Sequence, residues 1–95
     1  MRATKFENLA DILYTVEVFV LVEDDEIVMR DGRETSLSED IVLMFIEYGL
    51  ALQYQKRFAP NREAMEPLAM SVGEVREHVG NEIEWFSVMR SEEDF

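Results

Sequence analysis

The sequence predicts an α+β fold: a short N-terminal helix, a small antiparallel meander of two or three strands, a long central helix and a C-terminal helical segment. Three observations carry this expectation. Ser38 to Arg57 is the longest apolar segment and opens with helix-start residues. Thr15 to Val22, TVEVFVLV, is rich in β-branched side chains, which pack well on a pleated surface. Val72 to Met89 carries apolar residues at helical spacing behind a Ser-x-x-Glu start.

The first helix is expected from Lys5 to Leu13. Thr4 and Glu7 have capping-box spacing, and Phe6, Leu9, Ala10 and Leu13 recur at helical intervals. In the strand that follows, Val16, Val18, Val20 and Val22 share one face, with Thr15, Glu17, Phe19 and Leu21 on the other. Both faces are mostly apolar, so both should be covered. Glu23-Asp24-Asp25-Glu26 is a polar break, and Ile27 to Arg30 returns as a second strand to make a hairpin. Asp31-Gly32 is a turn signal, after which Arg33 to Thr35 offers a third, very short strand.

The central helix is expected from Ser38 to Arg57. Ser38 suits the N-cap, and Glu39 and Asp40 suit the positive end of the helix dipole. Lys56 and Arg57 suit the negative end, and Leu37 and Val42 have staple spacing. Such a helix would be ~30 Å long. Its apolar surface covers about twice the 100° stripe that a helix on one surface needs. Gly49 is tolerable there if another backbone comes close. With few other elements to cover both sides, Val42, Phe45, Ile46 and Leu50 are expected at a homodimer interface.

Phe58-Ala59-Pro60 ends that helix, and Asn61 can cap a short turn from Arg62 to Glu66. Ser71 and Glu74 form a second capping box for a helix from Val72 to Met89. Gly80-Asn81 is its weak point, able to split the helix or to turn a hairpin into Glu82–Phe86. With no repeat and no linker, 95 residues read as one domain, 1–95.

The function classes narrow by exclusion. The absence of cysteine removes disulfides, thiolate nucleophiles and Cys-ligated metal sites, and fits a cytoplasmic protein. MRATKFENLA has no apolar core ahead of its first acid, so no secretory leader is expected. Ile41 to Leu52 is interrupted by Glu47 and too short to cross a bilayer. His78 is the only histidine, flanked by Glu74 and Glu82 at four-residue spacing. Three ligands on one exposed helix face fit His–Glu surface pairs better than a metal site. The four glycines are scattered and frame no phosphate loop or nucleophile. No catalytic residue, cofactor or metal is expected.

Charge is the global anomaly. Twenty-one acids against nine bases give a formal −12. Direct binding to nucleic acid needs a basic stripe that this chain lacks. The expected function is therefore a non-enzymatic interaction module that offers acidic surface to a cationic protein. The partner-binding residues would be Glu23, Asp24, Asp25 and Glu26 at the hairpin tip, Glu74, Glu77 and Glu84 on the last helix, and Trp85 as apolar anchor. The sharpest version is nucleic-acid mimicry toward a nucleic-acid-binding complex, as in phage or mobile-element inhibitors of the anti-CRISPR or anti-restriction type. It rests on size and charge by analogy. The alternative is a dimeric structural or regulatory subunit whose charge serves only solubility.

Overall fold

The computed structural model describes residues 2–35 and 37–95. Among them, seven strands form one mixed sheet with two α-helices. The strands are β1 (Thr4–Lys5), β2 (Glu17–Glu23), β3 (Glu26–Ile27), β4 (Met29–Arg30), β5 (Ile41–Phe45), β6 (Glu66–Ser71) and β7 (Trp85–Met89). The helices are α1 (Tyr48–Phe58) and α2 (Val72–Val79). This overturns the long central helix and the small meander.

β1, β7, β5 and β2 lie side by side in that order. β6 runs antiparallel along the far side of β2, from Glu17↔Ser71 to Val22↔Glu66. β3 continues the hairpin on β2, and β4 shifts to pair with β5 through Met29↔Val42 and Arg30↔Ile41. β5 and β7 are parallel, so the chain between them must cross over. That crossover carries α1, β6 and α2.

The central strand explains the misreading. Ile41 to Phe45 is buried at every position. Val42 and Met44 point to one face, where Val18, Val20 and Phe86 meet Val72 and Val75 of α2. Ile41, Leu43 and Phe45 point to the other, where Leu21 and Met89 meet Leu50, Ala51 and Tyr54 of α1. A strand covered on both faces reads as an unbroken apolar run, and periodicity alone does not separate that from a buried helix. The two apolar sides are real, but they belong to a strand of period two. Ser38, expected as N-cap, has φ 57 and sits in a loop, so neither the cap nor the Leu37–Val42 staple forms. α1 starts ten residues later, and its last turn does carry Lys56 and Arg57.

Val42 and Phe45 are fully buried and Leu50 nearly so, inside this chain's own core. Of the four residues expected at a dimer interface, only Ile46 is exposed. The argument for pairing through a central helix falls with that helix.

Other elements depart for local reasons. The Lys5–Leu13 helix is replaced by β1 and two 3₁₀ turns, Phe6–Asn8 and Asp11–Thr15. Phe6 instead packs 4.8 Å from Phe86, and its N–H donates to the Glu84 carbonyl at 2.9 Å. The segment is thereby held to β7. The third short strand becomes a 3₁₀ turn at Gly32–Glu34, capped by Asp31. Glu66 to Ser71, in part read as a helical turn, is an edge strand, the one kind of strand that tolerates Pro67. The Ser71–Glu74 capping box forms and starts α2. Gly80, at φ 79, ends it, and the rest of the expected helix becomes β7.

Candidate functional site

The hairpin tip is built by its turn. Asp24 and Asp25 take positive φ, 54° and 63°, the geometry that a two-residue hairpin turn requires and Asp tolerates. Glu23 and Glu26 face each other across it. Like charges there would repel, but the Arg62 guanidinium holds Glu23 at 2.5 and 3.1 Å. Hydrogen bonding from Arg62 lowers the Glu23 pKa below the ordinary carboxylate value. Glu23 is thus spent inside the molecule, whereas Asp24, Asp25 and Glu26 are exposed.

α2 reaches the same tip. His78 Nε2 lies 3.0 Å from the Asp25 carbonyl oxygen. A carbonyl only accepts, so Nε2 carries the proton. Glu74 and Glu77 are exposed on the same helix. Met70, Glu74, Glu77 and His78 line a shallow depression between α2 and β6, and none of the hairpin acids borders it. Glu74 also accepts from the Ser71 N–H as part of the capping box.

Glu84 and Trp85 stand apart from that group. Because α2 stops at Val79, neither is on the last helix. Trp85 opens β7, and β5 and β2 lie between it and β3. Its indole N–H donates to Glu39 at 2.7 Å, and the Lys5 ammonium sits 5.4 Å over its ring. Glu84 shares a small cleft with Lys5, Glu7 and Arg76. Glu82 is likewise off the helix, so the Glu74–His78–Glu82 row does not exist. Among the described residues, no three His, Cys, Asp or Glu side chains gather to hold a metal ion. Nor, among them, is any helix long and apolar enough to cross a membrane.

A second feature was invisible in the sequence. Arg30, Ile41 and Trp85 stand in register across β4, β5 and β7 on the α1 face. Arg30 lines two neighbouring cavities of about 360 and 670 Å³. The smaller is bounded by Glu34, Thr35 and Leu37 of the preceding loop and by Trp85 and Phe95. The larger is bounded by Asp31, Glu34, Tyr54, Phe58 and Arg62. The loop wall is pinned: the Gly32 N–H donates to Asp40 at 2.7 Å, and Thr35 Oγ1 donates to the Gly32 carbonyl at 3.1 Å. The Asp31 carboxyl is held down at about 2 by the Arg33 side chain, with help from the Arg33 backbone N–H. Nε and Nη1 of Arg30 are shut off from solvent and have no hydrogen-bond acceptor among the described residues. Its guanidinium carbon lies 5.6 Å from the Phe58 ring centre.

No described protein family matches the chain, and no curated protein or solved structure is similar enough to it to support a comparison.

Proposed function

We propose that the protein is a non-enzymatic interaction module that presents Asp24, Asp25, Glu26, Glu74 and Glu77 to a cationic partner. The observation behind this is the His78–Asp25 hydrogen bond, which brings the end of α2 to the acidic hairpin tip, with Glu74 and Glu77 exposed on that same helix. Among the described residues, ion pairs engage only Glu7, Asp31 and Glu23 of the chain's acids. The five residues of the hairpin and helix are exposed, although the Glu74 carboxylate also accepts from the Ser71 N–H. A surface of this kind draws a basic protein groove at long range and is screened over ~8–10 Å in physiological salt. The fitting partner is a nucleic-acid-binding protein, whose groove is built to meet closely spaced negative charge. An inhibitor that occupies such a groove is the sharpest form of the reading.

The test is affinity capture from host lysate at low and high salt, followed by surface plasmon resonance against the captured protein. A triple reversal of Asp24, Asp25 and Glu26 to Lys should abolish binding while the thermal melt stays cooperative. Glu23 is left intact because its pair with Arg62 supports the hairpin. Trp85→Ala should not alter association, since Trp85 lies away from the acidic group. Binding that ignores salt, or survives the triple reversal, would sink the proposal.

A further inference from the structure

We propose that the cleft at Arg30 binds a small molecule bearing a carboxylate or phosphate on a planar apolar body. The first ground is the unmet chemistry of Arg30. A guanidinium is charged at any working pH, and burying its N–H groups without acceptors is costly. Nε and Nη1 are in that state, closed even to water, so the half-buried side chain must turn into the cleft for an oxyanion to reach them, in a chain with more than twice as many acids as bases. Glu34 lines both cavities with Arg30, yet no ion pair joins the two among the described residues. The second ground is space. The two cavities meet at Arg30, and each is of a size that takes a small ligand.

The third ground is the wall chemistry, which selects the body of the ligand. Trp85 and Phe95 bound one cavity, and Tyr54 and Phe58 the other. Flat aromatic walls favour a flat apolar partner. A bare oxyanion has no such body to offer and must approach against the field of a net −12 chain. An oxyanion joined to a ring gains the aromatic contact and the charge-assisted hydrogen bonds together. The cleft therefore discriminates for the combination.

The experiment is a ¹H–¹⁵N NMR titration of the full chain with benzoate, with phenyl phosphate and with inorganic phosphate. The expected result is saturable shifts at the Trp85 indole N–H and the Arg30 Nε–H for a ring-bearing ligand. It should bind at least about tenfold tighter than inorganic phosphate, since the ring supplies most of the buried area. Tighter benzoate assigns a carboxylate as the natural group, and tighter phenyl phosphate assigns a phosphate. Arg30→Met should weaken binding by about tenfold or more, and Arg30→Lys by less, because the charge stays but the planar fork is lost. Glu34→Gln should tighten binding, because it removes a carboxylate that lines both cavities with Arg30. An absence of saturable shifts in the wild-type chain overturns the proposal, whatever the variants do. So does unchanged benzoate affinity in a folded Arg30→Met. A shift of Arg30 Nε–H on Glu34→Gln with no response to any ligand would overturn it too, showing Glu34 to be the true acceptor.

Discussion

His78 on α2 and Asp25 at the hairpin tip, 53 positions apart in sequence, are joined by one hydrogen bond from an imidazole N–H to a backbone carbonyl at 3.0 Å. The bond is exposed, so water competes for both partners and its net worth is small, about 0.5–1.5 kcal/mol. Its structural effect is larger than its energy. The hairpin and α2 already share the core through Ile27, Val72 and Val75, so this contact fixes only the tip itself against the end of the helix. His78→Ala should therefore cost about 1 kcal/mol or less in a denaturant melt. It should also speed amide exchange at Asp24, Asp25 and Glu26. Unchanged exchange at the tip would mean that the turn geometry alone holds it.

Asp31 makes the clearest acid-range prediction. Its folded pKa is depressed from 3.8 to about 2, first by the Arg33 side chain and then by the Arg33 N–H. A depressed carboxyl stabilises the fold above its unfolded value, and that contribution fades as pH falls from 3.8 toward about 2. The pair is exposed, so the effect on stability is modest and shrinks further in salt. Carboxyl NMR titration should place Asp31 among the lowest carboxylates, and Arg33→Ala should return it toward 3.8. An Asp31 titration that ignores Arg33→Ala would contradict the geometry.

The features legible in the sequence are those set by near neighbours. β2 lies almost where the β-branched run put it, and the hairpin follows from four consecutive acids between apolar runs. The Ser71–Glu74 box starts α2, and Gly80 ends it where the weak point was marked. The unreadable features depend on distant partners. Ile41 to Phe45 is a strand because β2, β4 and β7 flank it, and α1 and α2 cover its faces. No local signal encodes that. β6 was hidden by Pro67, which excludes a central strand but not an edge. The candidate sites divide in the same way. The hairpin acids were visible as a run, whereas Arg30 is an ordinary residue of a short strand until β4 pairs with β5 under Phe58.

Core substitution separates the observed strand from surface positions. Phe45 is fully buried, with its ring 5.4 Å from Tyr54 and 6.3 Å from Phe95. Phe45→Ala should cost roughly 3–5 kcal/mol, because a cavity opens between sheet and α1. Glu47 is exposed at the N-cap of α1 and makes no capping hydrogen bond with its side chain. Glu47→Ala should cost under about 0.5 kcal/mol. Urea melts of both variants check this, and equal losses would contradict the placement of Phe45 in the core.

Two glycines predict opposite signs for one substitution. A Cβ on Gly32 would stand 2.6–2.7 Å from the backbone of Glu39, and backbone cannot swing away as a side chain can. Gly32→Ala must push apart the loop that its own N–H ties to Asp40. The cost should be that of overpacking, about 1–3 kcal/mol. The single Thr35 hydroxyl lies within hydrogen-bond reach of the carbonyls of both Gly32 and Glu39, so the strain should also disturb the loop that walls the Arg30 cleft. Gly49 is the reverse case. A close backbone would have made a glycine there tolerable, but nothing lies within 4 Å of the Cβ it would gain. It is exposed in the first turn of α1, where glycine only adds freedom to the unfolded chain. Gly49→Ala should stabilise by up to about 1 kcal/mol. Thermal melts of the two single variants and the double variant decide the matter. The double should fall near the sum of the singles, since additivity holds for independent sites. A destabilised Gly49→Ala would show that α1 does not begin at Tyr48, and a neutral Gly32→Ala would show that the 31–40 loop is looser than its hydrogen bonds imply.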